Sequence, residues 1–241
     1  MRSTVERLPH SSILFVLLLA PTLAQFVAIT FQHYAVGLAA RIIVHLLVPI
    51  TVVAWLTGKT FWQSFIEPIV PDSPPAWRWS LQVGLLCGVA GAGIIIVAFI
   101  GLQQVLALEA ILASLLQSFR VRREVYLAVA LAIIVVNPFL EEYFWRGFIF
   151  RWLTARAASP RAQRVFLILT GLFFALHHTL IIRGWFNWWQ FILSTFFLAL
   201  AGMLFNWMYQ RSGSIIASWI THALADLAIV GIGFYLFGFW S

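Results

Sequence analysis

The chain has 241 residues, of which 62% are hydrophobic and only 10% are charged, and its formal net charge is +7. A soluble domain averages roughly 45–50% apolar and about 25% charged residues. The composition therefore excludes a soluble globular protein, because too few polar residues are present to cover an apolar core. Two clusters of arginines, at 120–123 and 151–164, lie in short connections between apolar stretches, which favours membrane lipid with anionic headgroups, and not nucleic acid, as the partner. The single cysteine, Cys87, excludes an intrachain disulfide and a cysteine-ligated zinc site.

Seven apolar stretches reach the length of about 20 residues that a helix needs to cross a bilayer. They are residues 12–32, 37–57, 80–104, 124–151, 163–183, 187–209 and 213–238. The pattern therefore predicts an all-α fold, a polytopic membrane helix bundle with about seven or eight transmembrane helices. The first stretch continues without a clear cleavage site, so we expect a retained span rather than a signal peptide.

Two connections are long enough to hold structure of their own. Residues 58–79 contain four prolines and form the longest polar loop, which cannot be one continuous helix. Residues 105–119 have a helical pattern with few polar groups and are either an interfacial helix or an extension of the next span. We divide the chain into N-terminal transmembrane helices with the proline-containing loop, 1–119, and a segment that carries the candidate chemistry, 120–241.

The stretch 124–151 contains two adjacent glutamates inside an apolar run. Ionisable groups at membrane depth are costly and usually mark a functional site or a buried pair. Glu142 and Arg146 are four residues apart and share a helix face, so they can form an ion pair. Glu141 lies about 100° around the helix and has no partner in its own helix. Either Glu141 acts as a general base, or the Glu142–Arg146 pair only holds the helices of the bundle together. Pro138, just before them, predicts a kinked or locally opened helix.

Histidines lie in two later stretches. His177 and His178 are adjacent and cannot point the same way on a helix. His222 and Asp226 are four residues apart, so the carboxylate can orient the imidazole. Each histidine alone has a structural interpretation, in which a backbone carbonyl or the neighbouring acid satisfies it. We assign a structural or interfacial role to His45, which follows Arg41 by one turn, and also to His10 and His33.

Adjacent antiparallel spans can bring these three stretches together within the membrane. The cluster would offer a base, proton donors and hydrogen-bond donors for the addition of water to a peptide carbonyl. Alternatively, His178, His222 and a carboxylate would bind zinc, since two histidines and one acid form a known hydrolytic ligand set. We expect the last four spans to bound the cavity.

The order of these motifs resembles the signature of the CPBP family, the CAAX-protease and bacteriocin-processing (Abi) intramembrane proteases related to the CAAX prenyl endopeptidases. Glu141, Glu142 and Arg146, followed by Gly147, match the first motif. The second reads from Phe174 to His178, or from Phe173 to His177, and the first of these readings is preferred because a small residue follows Phe174. The third reads from His222 to Asp226, where family members often carry asparagine. The resemblance covers roughly residues 120–238.

The resemblance implies an intramembrane glutamic endopeptidase with a peptide or protein substrate. By it, Glu141 would activate water with His178, and His222 with Asp226 would form the oxyanion site. Glu142 and Arg146 would support the geometry. The resemblance implies no obligatory cofactor, and zinc is the runner-up. We expect an integral, multi-pass protein of a bacterial or archaeal plasma membrane. The rival hypothesis is a non-enzymatic membrane protein, a proton-coupled transporter or a bacteriocin-immunity or partner-binding protein, that uses the same residues as a polar core.

Overall fold

The structure, a computed structural model, describes residues 17–23, 34–71, 73–103, 110, 123–184 and 186–236. All regular secondary structure in these ranges is helical, which confirms the predicted all-α membrane bundle. Six helices are long and apolar enough to cross a membrane, and we number them spans 1 to 6. They are Val36–Thr57, Pro74–Leu102, Leu127–Ala155, Pro160–Leu180, Trp188–Ser212 and Ile216–Leu236.

These six spans correspond to the last six of the seven predicted stretches. The first stretch, 12–32, lies outside the described residues except for 17–23, which are helical. The segment 105–119 also lies outside them, apart from residue 110.

Nine α-helices and three π-helical segments of the described residues build the six spans, and a tenth α-helix, α3, lies in the loop between spans 1 and 2. A π-helical segment has about one residue more per turn than an α-helix. The helices are α1 (Tyr34–Ile42), α2 (Val48–Thr57), α3 (Phe61–Ile66), α4 (Pro74–Leu102), α5 (Arg123–Leu131), α6 (Asn137–Glu142), α7 (Arg151–Ala155), α8 (Pro160–Ile182), α9 (Trp188–Ser212) and α10 (Ile216–Leu236). The π-helical segments are Ile43–Leu47 in span 1 and Ala132–Val136 and Tyr143–Phe150 in span 3.

The predicted loop 58–79 is shorter than expected, because α4 begins at Pro74 and not near residue 80. The side chain of Ser73 accepts a hydrogen bond from the backbone of Ala76 and so caps the helix. Proline fits the first helical turn, where its missing N–H would have no partner in any case. The loop also contains the short helix α3, which begins with a capping box between Thr60 and Gln63.

Span 3 is the central helix of the bundle. Every residue from Leu140 to Phe150 is buried, whereas the other spans expose large apolar side chains such as Trp55 and Leu86 to the surroundings. Near Pro138 the backbone ladder opens by one residue, since the N–H of Asn137 donates to the carbonyl of Ala132. The local opening predicted from Pro138 is therefore a π-helical turn, a feature frequent at functional sites.

Glycines allow spans 4 and 5 to approach closely beside this central helix. A Cβ atom on Gly202 would lie 2.9 Å from the Cα atom of Gly171 and 3.0 Å from its carbonyl oxygen. Small residues at such crossings are what membrane helices use to pack tightly. Span 2 packs in the same way along span 6, where Gly84 and Gly88 face Ala217 and Leu224.

Gly202→Ala is expected to destabilise the protein by about 1–3 kcal/mol, the usual cost of overpacking. The two nearest atoms that the new methyl group would meet belong to the backbone of Gly171, which cannot rotate away, and the third is Cδ1 of Phe174 at 3.1 Å. The matched control is Gly93→Ala, since no atom of the described residues lies within 4 Å of a Cβ atom there. Thermal unfolding in detergent measures both variants. Equal melting temperatures for the two variants would contradict the assignment of this crossing.

The loop between spans 1 and 2 is bound to span 3 and to the connection between spans 5 and 6. The hydroxyl of Tyr143 donates to the carbonyl of Ser64 at 2.9 Å, and the backbone N–H of Ile215 donates to the carbonyl of Pro68 at 2.9 Å. Glu67 accepts from Lys59 at 2.6 Å and forms a second ion pair with Arg151. The loop therefore closes one end of the bundle.

Glu67→Gln is expected to lower the free energy of unfolding at neutral pH, and this difference from the wild type should vanish in acid. Burial raises the pKa of Glu67, but the hydrogen bonds from Lys59 and Arg151 outweigh it and hold the pKa below its usual value of 4.5. A carboxyl group of this kind stabilises the fold above its unfolded-state pKa, and the stabilisation is lost as the pH falls through the folded-state pKa. Melting temperatures of the wild type and of Glu67→Gln, compared from neutral pH to below 4.5, measure this difference. An undiminished difference at the lowest pH would contradict the assignment.

Candidate active site

Glu142 and Arg146 form a fully buried ion pair in span 3. The guanidinium Nη1 donates to Glu142 Oε1 at 2.8 Å, and both side chains have 0% exposure. Nη2 donates to the carbonyl of Gly202 in span 5 at 3.1 Å. The guanidinium carbon lies 4.3 Å from the ring centre of Phe174 and 5.0 Å from that of Phe205, which adds cation–π stabilisation. The pair predicted from its spacing therefore ties spans 3, 4 and 5 together.

His222 in span 6 is oriented by Glu142. Its Nδ1 lies 3.0 Å from Glu142 Oε1, while its ring stacks on Phe205. A carboxylate only accepts hydrogen bonds, so Nδ1 of His222 carries a proton. Nε2 is then the ring nitrogen available to a water molecule or a substrate. Nε2 lies 3.9 Å from Asp226 Oδ1 and 4.0 Å from Glu141 Oε2. We expected Asp226 to orient this imidazole, but Glu142 occupies the closer position, because it reaches His222 across the bundle.

Glu141 is surrounded by nitrogen atoms from three other spans. Its side chain is 2% exposed, and its Oε1 lies 3.8 Å both from Arg41 Nη1 in span 1 and from His177 Nε2 in span 4. Oε2 lies 3.1 Å from His178 Nε2 and 4.0 Å from His222 Nε2. Among the described residues, none gives this oxygen a hydrogen bond of good geometry. Glu141 has no partner in its own helix, as the spacing predicted, but other helices supply its surroundings.

His177 and His178 approach Glu141 from its two sides. His178 donates from Nδ1 to the carbonyl of Phe174 at 2.8 Å, packs on the Phe174 ring and is 25% exposed. His177 is 1% exposed and packs on the rings of Trp145 and His45. The direction of Nε2 and the partial exposure favour His178 as the motif histidine. His177 lines the opposite, closed side of the carboxylate.

Three candidate hydrogen-bond acceptors converge in the site: Glu141 Oε2 and the Nε2 atoms of His178 and His222. His178 and His222 both use Nδ1 as a donor, so in their neutral forms their Nε2 atoms present lone pairs toward Glu141 Oε2. One ligand atom from each of these three residues lies within 4.8 Å of the others. Such a set is satisfied by a proton shared between two of them, by a water molecule that donates two hydrogen bonds, or by a metal cation.

Span 1 contributes two residues that we had not assigned to the site. Arg41 lies beside Glu141, and His45 is buried with Nδ1 bound to the carbonyl of Arg41 at 3.1 Å. The His45 ring centre lies 6.0 Å from that of His177. The expectation that only the last four spans bound the site is therefore wrong, because the order of helices around a bundle does not follow the order of motifs along the chain. The four-residue spacing of Arg41 and His45 was the available signal.

Residues 123–228 match the family model described as type II CAAX prenyl endopeptidase Rce1-like. This segment belongs to that family. The match confirms the resemblance predicted from the three motifs, and it includes all six candidate residues from Glu141 to Asp226. No curated protein and no solved structure matches the chain significantly.

The six spans make the chain an integral, multi-pass membrane protein, and its residues 123–228 are similar to the CAAX-type intramembrane proteases. A protease of this class acts on a peptide or protein. The matched segment lies within the predicted segment 120–241, and Arg41 and His45 lie outside it. The division of the chain at residue 120 stays a prediction.

Glu141, His178 and His222 also fit the donor set of a zinc site. Zinc takes nitrogen and carboxylate ligands at about 2.0–2.2 Å, so tetrahedral ligand atoms lie roughly 3.4 Å apart. The separations of 3.1 Å and 4.0 Å from Glu141 Oε2 to the two Nε2 atoms bracket this distance. A bound zinc ion would supply Lewis acidity to water or to a carbonyl oxygen. It would also have to share the site with the positive charge of Arg41.

Proposed function

We propose that this Rce1-like protein is an intramembrane endopeptidase in which Glu141 activates water for addition to a peptide bond at or within the bilayer. The observation that carries the proposal is the convergence of Glu141 Oε2, His178 Nε2 and His222 Nε2, which lie within 4.8 Å of one another, with Glu141 and His222 buried and His178 partly exposed. A water molecule there donates to Glu141 Oε2 and His178 Nε2 while its own lone pair remains available, and His222 Nε2, when protonated, is left to donate to the substrate carbonyl. This is the arrangement that general-base catalysis requires.

In the proposed reaction, Glu141 together with His178 removes one proton from water as its oxygen adds to the carbonyl carbon of the substrate. The carbonyl oxygen becomes an oxyanion. His222, with protons on both nitrogens, donates to Glu142 from Nδ1 and to the oxyanion from Nε2. The proton held by Glu141 and His178 then passes to the leaving nitrogen as the C–N bond breaks. The products are a carboxylic acid and an amine, and the site returns to its starting state.

Asp226 has a supporting role in this scheme. Its Oδ1 lies 3.9 Å from His222 Nε2, and its side chain is 14% exposed. A carboxylate there stabilises the doubly protonated imidazole of His222. Asparagine, common at this position in the CPBP family, would instead donate to the oxyanion directly. We propose that Asp226 acts through His222, and that His222 is the donor to the oxyanion.

The substrate proposed first is a membrane-anchored peptide with a prenylated C-terminal CAAX sequence, after the description of the matched family. The proposed enzyme needs no metal. Zinc held by Glu141, His178 and His222 is the second mechanism, favoured by the ligand distances described above.

The experiment compares membrane peptides of cells that express the wild type, Glu141→Gln or no protein. An endopeptidase should generate cleaved peptides that only the wild type produces. The rival, a non-enzymatic transporter or immunity protein, is separated by the double variant Glu141→Gln/His178→Gln. A partner-binding protein keeps its phenotype when near-isosteric amides replace both groups, whereas the proposed protease loses it.

A further inference from the structure

Arg41 is a second arginine beside the two glutamates, and it comes from a different span. Glu142 is matched within span 3 by Arg146, and Glu141 lies 3.8 Å from Arg41 Nη1. Arg41 is one turn inside the described start of span 1, and its side chain is 20% exposed while Glu141 is 2% exposed. An unmatched carboxylate at this depth would be costly, so the two arginines balance the two glutamates.

The two carboxylate oxygens of Glu141 face different residues. Oε1 faces Arg41 and His177, each at 3.8 Å, and Oε2 faces His178 and His222. The site therefore has one side that faces Arg41 of span 1 and His177, and a second side that faces His178 of span 4 and His222 of span 6. The second side holds Oε2, the oxygen that takes the proton of the reacting water molecule in the proposed mechanism.

His45 completes the closed side. Its Nδ1 is bound to the backbone carbonyl of Arg41, and its ring packs on those of His177 and Phe144. The π-helical segment Ile43–Leu47 contains His45 and packs directly on the π-helical segment Tyr143–Phe150 of span 3. The buried side chain of His45 therefore contacts both the backbone of Arg41 and the ring of His177.

We propose that Arg41 is a positioning residue of the active site, which attracts Glu141 Oε1 and so turns Oε2 toward His178 and His222. The inference rests on the proposed role of Glu141 as the base. It extends the site beyond residues 123–228, since Arg41 lies in span 1. Misplacement of a catalytic group by about 1 Å can cost roughly a hundredfold in rate.

Steady-state hydrolysis of a fluorogenic prenylated CAAX peptide by the full chain in lipid nanodiscs tests the inference. Arg41→Gln is expected to lower kcat about 10- to 100-fold and to leave KM within about twofold, because the substrate contacts are unchanged. Arg41→Lys retains the positive charge and is expected to recover a substantial part of kcat. A purely structural role would not produce this separation of kcat from KM or this recovery.

The matched control is Arg164→Gln, the same change on the exposed surface of span 4. It lies 14 residues from His178, about 21 Å along the helix, and is expected to keep the wild-type kcat. If Arg41→Gln does not fold, the apolar variant Arg41→Met replaces it. Failure of both variants to fold would assign Arg41 a structural role and overturn the inference.

The outcomes for Glu141 and Arg41 separate the two proposals. Full activity of Glu141→Gln would overturn the proposed function, whatever Arg41 does. An inactive Glu141→Gln protein together with wild-type kcat in Arg41→Gln would overturn the inference alone. Loss of kcat in both, with partial recovery in Arg41→Lys, supports both proposals.

Discussion

Glu141→Gln is expected to lower kcat for peptide hydrolysis by at least about a thousandfold, within the range of 10²–10⁴ that general acid–base catalysis contributes. The amide is nearly isosteric with the carboxylate but cannot take a proton from water. Its surroundings remain, since Arg41, His177 and His178 belong to other spans. Kinetics in lipid nanodiscs, with the melting temperature of the same sample, measure the effect.

The control for this variant is Glu67→Gln, which makes the same chemical change in the loop between spans 1 and 2. Glu67 pairs with Lys59 and Arg151 at the closed end of the bundle and touches none of the candidate site residues. Glu67→Gln should hydrolyse the peptide at the wild-type rate at temperatures where it is folded. Equal hydrolysis rates for Glu141→Gln and Glu67→Gln would show that Glu141 is not the catalytic base.

Arg146→Met is expected to destabilise the protein by about 3–5 kcal/mol, the cost of leaving one partner of a buried ion pair alone. The double variant Glu142→Leu/Arg146→Met removes both charges and should recover most of this stability, because apolar replacements of whole buried pairs are often neutral. Activity should not recover. His222 loses the carboxylate that holds Nδ1 at 3.0 Å, so kcat should stay at least about a hundredfold below the wild type.

Unfolding in detergent and hydrolysis in nanodiscs, run on the same three proteins, separate the two roles of Glu142. Recovery of stability without activity assigns Glu142 both to the pair with Arg146 and to the orientation of His222. Recovery of both properties in the double variant would show that the contact with His222 is dispensable. Failure to recover stability would show that the pair itself, and not only its charge balance, holds spans 3, 4 and 5 together.

Local spacing predicted the parts of the site that depend on one helix. The pairing of Glu142 with Arg146 follows from a separation of four residues on a helix face. The local opening near Pro138 follows from its missing backbone donor. The spans themselves follow from length and hydropathy, since a bilayer admits few alternatives to a long apolar helix.

Contacts between helices could not be predicted in this way. Arg41 reaches Glu141 only because span 1 packs against span 3, and a lipid-facing pattern does not reveal which apolar helices are neighbours. Likewise, Glu142 and not Asp226 takes His222 Nδ1, because a residue across the bundle approaches more closely than one on the same helix. His177 and His178 both border Glu141, since a single carboxylate presents two oxygens to two sides.

We propose that the Glu141 carboxylate activates water without a metal ion. The test measures, on one purified sample, the peptide hydrolysis rate and the zinc content per chain before and after chelation. The rate is expected to stay unchanged when zinc is far below one ion per chain. Stoichiometric zinc that leaves together with activity, returns with it on re-addition and is lost in His178→Gln and His222→Gln would contradict the claim.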